Sequence, residues 1–363
     1  MRLGVQAALV GGELLPGDVE LDGDRIAAVG LATAGGRGIA VPGLVDLQVN
    51  GFGGVDFLEA DAAGYARAGD ALLETGVTAY VPTLITSAEE HLVAALGEVP
   101  LKSKGPRILG VHVEGPFLSP ARPGTHPPEL LRDPDPELLV RLLEAGPVRL
   151  VTLAPELPGA FDLIELLHER GVVVSFGHSD ATAEEAHAGF DRGVHTVTHL
   201  FNAMRPFRHR DPGIVGAALT RHDVVVQIIV DGVHLAPDTV RMVWEAAAGR
   251  VALVTDAVAP AGAGGGAFTL GDVSLVVSDG AVRRDDGVLA GSVLTMIEAV
   301  RNLHELGVPV ERALEAATLV PASVLGLSDC GRIEVGRRAD LLVLDGDLEI
   351  ERVLVGGETL VAA

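Results

Sequence analysis

Apolar runs that stop at a single polar residue dominate the pattern of this chain. Gly105 to Val113 reads as one buried strand, with Ile108, Leu109, Val111 and Val113 apolar, and it stops at Glu114 before a Gly-Pro break. Val172-Val-Val-Ser-Phe-Gly-His178 and His195-Thr-Val-Thr-His199 stop at histidines, and Val251-Ala-Leu-Val-Thr-Asp256 stops at an aspartate. Candidate strands begin near Gly43, Val77, Arg107, Val148, Val172, His195, Val224 and Val251. Helical patterns separate most of them: Ala60–Glu74, Ala88–Leu96, Glu137–Glu144, Phe161–Arg170, Ala181–Arg192 and Pro237–Ala248. Thr182 and Glu185 have the spacing of a capping box, which marks a helix start. Strands interleaved with helices in this way predict an α/β fold, a (β/α)8 TIM barrel. A doubly wound open sheet gives the same alternation but gathers its site at one switch point, whereas the candidate ligands here end several strands.

The two ends of the chain alternate differently. Asp22-Gly-Asp-Arg-Ile-Ala-Ala-Val-Gly30 reads as a hairpin, and Ala339–Asp347 and Val353–Val361 repeat the style. This predicts a small β-sandwich domain from residues 1–41 and 331–363, flanking a barrel domain over 42–330. Residues 268–283 read as an inserted hairpin that joins the sandwich or lids the site. Gly262–Gly266 reads as a mobile loop. Ser292–Leu306 and Val310–Thr318 read as amphipathic helices closing the barrel.

Composition narrows the classes. The 363 residues have a net charge of -23, which disfavours nucleic acid and anionic membrane surfaces as partners. Hydrophobic content is 48% without an uncharged apolar run of about 18 residues, so no membrane span is expected. Met1-Arg-Leu-Gly-Val-Gln does not read as a secretory leader. The single cysteine, Cys330, excludes an internal disulfide and suits the cytoplasm. Aromatic residues, at 3%, are too few for a sugar- or base-stacking module.

Glu114, His178 and His199 agree in position, because a barrel brings all three strand ends to one face. Two histidines and a carboxylate supply three ligands to a divalent ion and leave a fourth position for water. His91, His168, His187, His222 and His304 fall in helical or turn contexts and carry no such signal. His195 starts its strand and belongs at the other end of the barrel. His112 belongs beneath Glu114 in a packing or supporting role.

The first barrel strand, Gly43 to Asn50, places Gln48 and Asn50 where many metal hydrolases of this architecture carry His-X-His. Neutral amides are poor zinc ligands. The chain also has no lysine after Lys104, so a carbamylated lysine bridge at the fourth strand cannot form. One metal is the consistent expectation. Asp256 then becomes the general base, a further ligand or a turn residue. Asn202 to Gly213 holds Arg205, Arg208 and Arg210, which suits an anionic substrate group or a solvated loop. His234 offers another imidazole near the same face, and Thr125 and His126 can reach across to polarise a carbonyl.

With these residues in view, the chain resembles the amidohydrolase superfamily, and within it the one-metal branch that deacetylates N-acetylglucosamine 6-phosphate. The resemblance rests on Pro42 to Gly51, His112-Val-Glu-Gly-Pro-Phe, Gly124-Thr-His-Pro, Leu153-Ala-Pro-Glu, Gly177-His-Ser, Thr198-His-Leu-Phe-Asn-Ala-Met, Asp231-Gly-Val-His, Leu253-Val-Thr-Asp-Ala and Leu289-Ala-Gly-Ser. It implies metal ligands at Glu114, His178 and His199 and an acid/base at Asp256, assisted by His126. It implies substrate contacts at Thr125, His126, Asn202, Ala203, Arg210, Asp231, Gly232, Val233, His234, Leu289, Ala290 and Gly291. The expected ion is Zn2+, with Fe2+, Co2+ and Mn2+ also compatible. The resemblance further implies a homodimer in which Arg210 reaches the neighbouring site. The implied products are glucosamine 6-phosphate and acetate, in amino-sugar catabolism or cell-wall sugar recycling. The galactosamine epimer is the alternative substrate, and a non-catalytic assembly protein the alternative class. Arg205 departs from the pattern and is expected to add charge beside the phosphate.

Overall fold

The computed structural model describes the chain apart from residues 34, 103–104, 264–266, 272, 279 and 363. Eight parallel strands, numbered β1 to β8, make a nearly closed barrel: Leu44–Val49, Val77–Ile85, Val111–Glu114, Val148–Leu153, Val173–Phe176, Thr196–Val197, Val225–Ile228 and Val251–Leu253. Each pairs with the next in chain order. Beyond the strand ends β8 meets β1, with Asp256 N–H donating to Gln48 O at 2.9 Å and Asn50 N–H to Ala257 O at 2.7 Å. Every residue of β1 and β2 is buried, because one face turns into the barrel and the other lies under helices. Full burial of a Val, Leu or Phe side chain stabilises by about 1.5–3 kcal/mol. That apolar frame is what holds polar residues in place where the strands end.

The run expected as a single strand from Gly105 to Val113 is broken. Arg107–Ile108 pairs with β2 as a separate short strand, and β3 starts at Val111. Gly110 makes the break. It has φ of 123°, and a Cβ there would lie 2.5 Å from that of Arg149.

The six expected barrel helices form, over Ala62–Glu74, Glu89–Gly97, Pro136–Ala145, Ala160–Glu169, Ala183–Phe190 and Pro237–Ala246. A further helix, Gly213–Thr220, escapes a periodicity argument because its first six residues are all buried and it has no polar face. The helix expected from Ser292 starts instead at Met296, where Thr295 and Glu298 form a capping box, and runs to Glu305. Val310–Ala316 and Leu319–Val324 follow as two short helices.

The insertion is larger than the hairpin expected over 268–283. Phe268–Leu270, Val273–Ser278, Ala281–Arg283 and Leu289–Ser292 form a four-stranded antiparallel sheet. Its inner face packs Leu270, Leu275, Val282 and Ala290 against Ile85 and Val258. The expected mobile loop at 262–266 falls mainly on residues 264–266, outside the described residues. Strands from both ends of the chain share one six-stranded sheet, in which Ile39–Pro42 lies between Ala7–Val10 and Leu341–Leu344.

Candidate active site

Glu114 ends β3, while His178, His199 and Asp256 follow β5, β6 and β8 by two or three residues. The last three have left-handed backbones, with φ of 47°, 28° and 49°. That conformation costs a non-glycine residue about 1–3 kcal/mol, and it occurs where the pleat breaks off and the side chain turns toward the barrel axis. The ligand atoms of Glu114, His178 and His199 all lie within 4.8 Å of one another. His199 Nε2 is 3.0 Å and His178 Nε2 3.3 Å from Glu114 Oε1, and the two nitrogens are 3.1 Å apart. Among the described residues this is the one group of His, Cys, Asp and Glu that can hold an ion.

The protonation pattern tests whether a cation fits. His178 Nδ1 donates to the carbonyl of Arg122 at 3.1 Å, so the neutral ring keeps a lone pair on Nε2. Burial pushes its imidazole down to about 4, which keeps it neutral. Burial alone would raise the Glu114 carboxyl, yet His126, His178 and His199 beside it hold it well below the usual carboxylate range. Burial would likewise lower His199, but Glu114 outweighs it and the imidazole is raised. Glu114 Oε1 and the Nε2 atoms of both histidines thus converge at hydrogen-bond distance on a single point, and all three are electron-pair donors once a cation displaces the proton that His199 shares with Glu114. A divalent cation fits that donor set.

The amides of β1 serve the carboxylates. Gln48 Nε2 donates to both Glu114 oxygens at 3.3 Å, and Asn50 Nδ2 donates to Asp256 Oδ1 at 2.7 Å. Burial, followed by the charge of Glu114, raises the Asp256 carboxyl to about 6. Beneath this layer His112 bonds Thr83 at 3.2 Å and Thr152 at 2.7 Å, and Thr152 continues to Thr198 at 2.7 Å. His112 therefore supports the site from within the barrel. His195 bonds the Val324 carbonyl at 3.2 Å, at the opposite end.

A cavity of about 220 Å³ opens above the cluster. Thr125, His126, Asn202, Ala203, His234, Leu289 and Gly291 line it together with Asp256. His126 Nδ1 accepts from the Thr86 N–H at 3.3 Å, which leaves the proton on Nε2. That Nε2 is buried and has no hydrogen-bond partner among the described residues, and the same holds for the Thr125 hydroxyl oxygen. Asp231, Gly232 and Val233 do not line the cavity. Asp231 instead holds His234 Nδ1 at 2.7 Å and accepts the Val233 and His234 N–H groups at 2.8 Å. Ala290 packs behind the wall with the inserted sheet. Arg210 is exposed and outside the lining of the cavity.

Some lining residues carried no chemical signal in the sequence. Ile85 ends β2 as the others end their strands, but it is apolar; Leu270 comes from the inserted sheet and Val288 from the connection just before its fourth strand. Arg205 corrects an expectation. Its guanidinium does not reach the cavity, because Asp211 and Asp180 hold it at 2.9 and 3.3 Å.

Comparison with known proteins agrees with this geometry. The amidohydrolase family model matches residues 39–360. N-acetylglucosamine-6-phosphate deacetylase of Mus musculus is 40% identical over 367 residues, covering 96% of this chain and 89% of that protein. Its Homo sapiens counterpart is 39% identical over 381 residues, covering 96% of this chain and 93% of that protein. The structure of a mutant N-acetyl-D-glucosamine-6-phosphate deacetylase from Mycobacterium smegmatis, in complex with N-acetyl-D-glucosamine-6-phosphate, superposes with a TM-score of 0.93 at 37% identity. It covers 100% of this chain and 99% of that one.

Proposed function

The chain belongs to the amidohydrolase family, and from that premise we infer that it hydrolyses the acetamide of N-acetylglucosamine 6-phosphate, giving glucosamine 6-phosphate and acetate. One observation carries the reaction class: an electron-pair-donor cluster and a carboxyl raised to about 6 face the same cavity.

Glu114, His178 and His199 would hold one divalent ion, and we take it to be Zn2+, which two imidazoles and a carboxylate suit. When bound, such an ion supplies Lewis acidity to the amide carbonyl and to the attacking water. Asp256 takes a proton from that water and returns it to the departing amine. Asn50 fixes its Oδ1, so the transfer falls to the other oxygen. His126, with its proton on Nε2, donates to the acetamide oxygen as charge grows there. Thr125, Leu289 and Gly291 line the wall that receives the sugar. Asn202, Ala203 and His234 take its phosphate end, with Arg210 supplied by a second copy of the chain in a homodimer. The one cysteine, Cys330, is buried and free, which suits the reducing cytoplasm.

The test is acetate release by metal-quantified protein from a panel of N-acetyl hexosamines, each with and without the 6-phosphate. N-acetylglucosamine 6-phosphate should be the best substrate. Preference for the galactosamine epimer, or no release from either phosphate, would overturn the assignment.

A further inference from the structure

Five charged side chains surround the histidine cluster without lining the cavity: Arg122, Glu156, Asp180, Arg205 and Asp211. They come from the loops after β3, β4, β5 and β6. Arg122 places Nε and one terminal nitrogen 2.8 and 2.7 Å from the same Asp180 oxygen. Arg205 donates to the Asp180 carbonyl at 3.1 Å and to its other carboxylate oxygen at 3.3 Å. Arg205 Nε reaches the two Asp211 oxygens at 2.9 and 3.0 Å. Glu156 accepts the Asp180 N–H at 2.6 Å and the Ser179 hydroxyl at 2.7 Å. The chain of contacts ends on a candidate ligand, because the Arg122 carbonyl accepts the Nδ1 proton of His178 at 3.1 Å.

We propose that the relay Asp211–Arg205–Asp180–Arg122 is a positioning device that holds the Arg122 carbonyl on His178 Nδ1, so that Nε2 stays unprotonated and aimed at the metal. The proposal rests on Glu114, His178 and His199 being the metal ligands. Such an outer partner fixes the tautomer and orientation of a ligating imidazole and raises its basicity.

Isolated surface pairs contribute little, but three features set these apart. The side chains of Arg122, Asp180, Arg205 and Asp211 are only 27–37% exposed, and each arginine binds through more than one nitrogen. The loop they pin has no helix or strand from Gly115 to Pro127; its backbone bonds around Arg122 are a single turn, Arg122 N–H to Ser119 O at 2.9 Å, and one tie to the ligand, Ser119 N–H to His178 O at 2.9 Å, to which the side-chain contacts of Arg122 add. Gly124, farther along that loop, lies so near the ring that a Cβ there would be 2.9 Å from His178 Cε1, so a drift of the loop displaces the imidazole. The relay also fixes the far side of the ligand, since Asp180 follows His178 by two residues and Arg205 donates its own N–H to Ser179 O at 2.8 Å.

The experiment strips the purified protein of metal and titrates it with Zn2+ against a competing chelator. Arg205→Ala and Asp180→Ala should each weaken Zn2+ binding by about 10- to 100-fold. The double variant should lose little more than the worse single, because both cut the same chain of contacts. Arg205→Lys should recover part of the affinity. The metal-free melting temperature should fall by only a few degrees. Where an alanine variant does not fold, Asp180→Asn carries the same expectation with the side-chain volume kept. Equal Zn2+ affinity in variant and wild type overturns the relay. So does a loss that Arg205→Lys leaves unrecovered and that tracks the melting temperature of the metal-free protein. A wild-type chain that binds no Zn2+ would instead overturn the metal assignment, and the relay with it.

Discussion

Asn50 donates its side-chain N–H to Asp256 Oδ1 at 2.7 Å across the seam where the first and last barrel strands meet. The bond opposes the burial that raises the Asp256 carboxyl to about 6. Asp256 must be ionised to accept a proton, so kcat/KM should fall as acid protonates it. Asn50→Ala removes a contact that favours the ionised form, so the carboxyl rises further and the acid limb should move to higher pH. Matched pH profiles of wild type and variant check the sign. An unmoved limb, or one moved downward, rejects the coupling.

Asp256→Asn should fold, keep its metal and lose about 10²–10⁴-fold in turnover, because an amide cannot carry the water proton. Turnover measured beside metal content separates this from loss of the ion. Activity within a few-fold of wild type would remove Asp256 from proton transfer.

Fully active protein should contain one tightly bound divalent metal per chain. The donor cluster is single among the described residues, and Gln48 and Asn50 are already engaged with carboxylates. Prolonged chelation should abolish acetate release, and added Zn2+ should restore it. Two tightly held ions per active chain, by elemental analysis, would contradict this.

Arg210→Ala should raise KM for the phosphorylated sugar by about 10- to 100-fold, since a charge-assisted contact is worth roughly 1.5–3 kcal/mol. The slow reaction with the unphosphorylated sugar should barely change. Arg210 is exposed and absent from its own cavity's lining, which motivates a role across a dimer. Mixing Asp256→Asn chains with Arg210→Ala chains should then restore some activity. No recovery under confirmed subunit exchange would return Arg210 to its own subunit.

The barrel was legible because strands buried on both faces read as unbroken apolar runs, and because Glu114, His178, His199 and Asp256 interrupt such runs where they end. What escaped has physical causes. Gly213–Thr220 is apolar on every side, so no period marks it. Gly110 breaks its strand by a close approach to Arg149, a contact that exists only after folding. Arg205 looked like free charge, and only the assembled loops show Asp180 and Asp211 neutralising it. Gln48 and Asn50 were legible as non-ligands, but their service to two carboxylates belongs to the third dimension.

The inserted segment contributes Leu270, Val288 and Leu289 to a cavity whose candidate reactive groups all come from the barrel. The groups proposed to cleave the bond and part of the wall proposed to receive the sugar therefore reside on different pieces of chain. A descendant could trade the residues of one excursion and accept a bulkier acyl group or an epimeric sugar while inheriting its hydrolytic machinery unchanged. Laboratory recombination of that sheet between relatives offers the same route to altered selectivity.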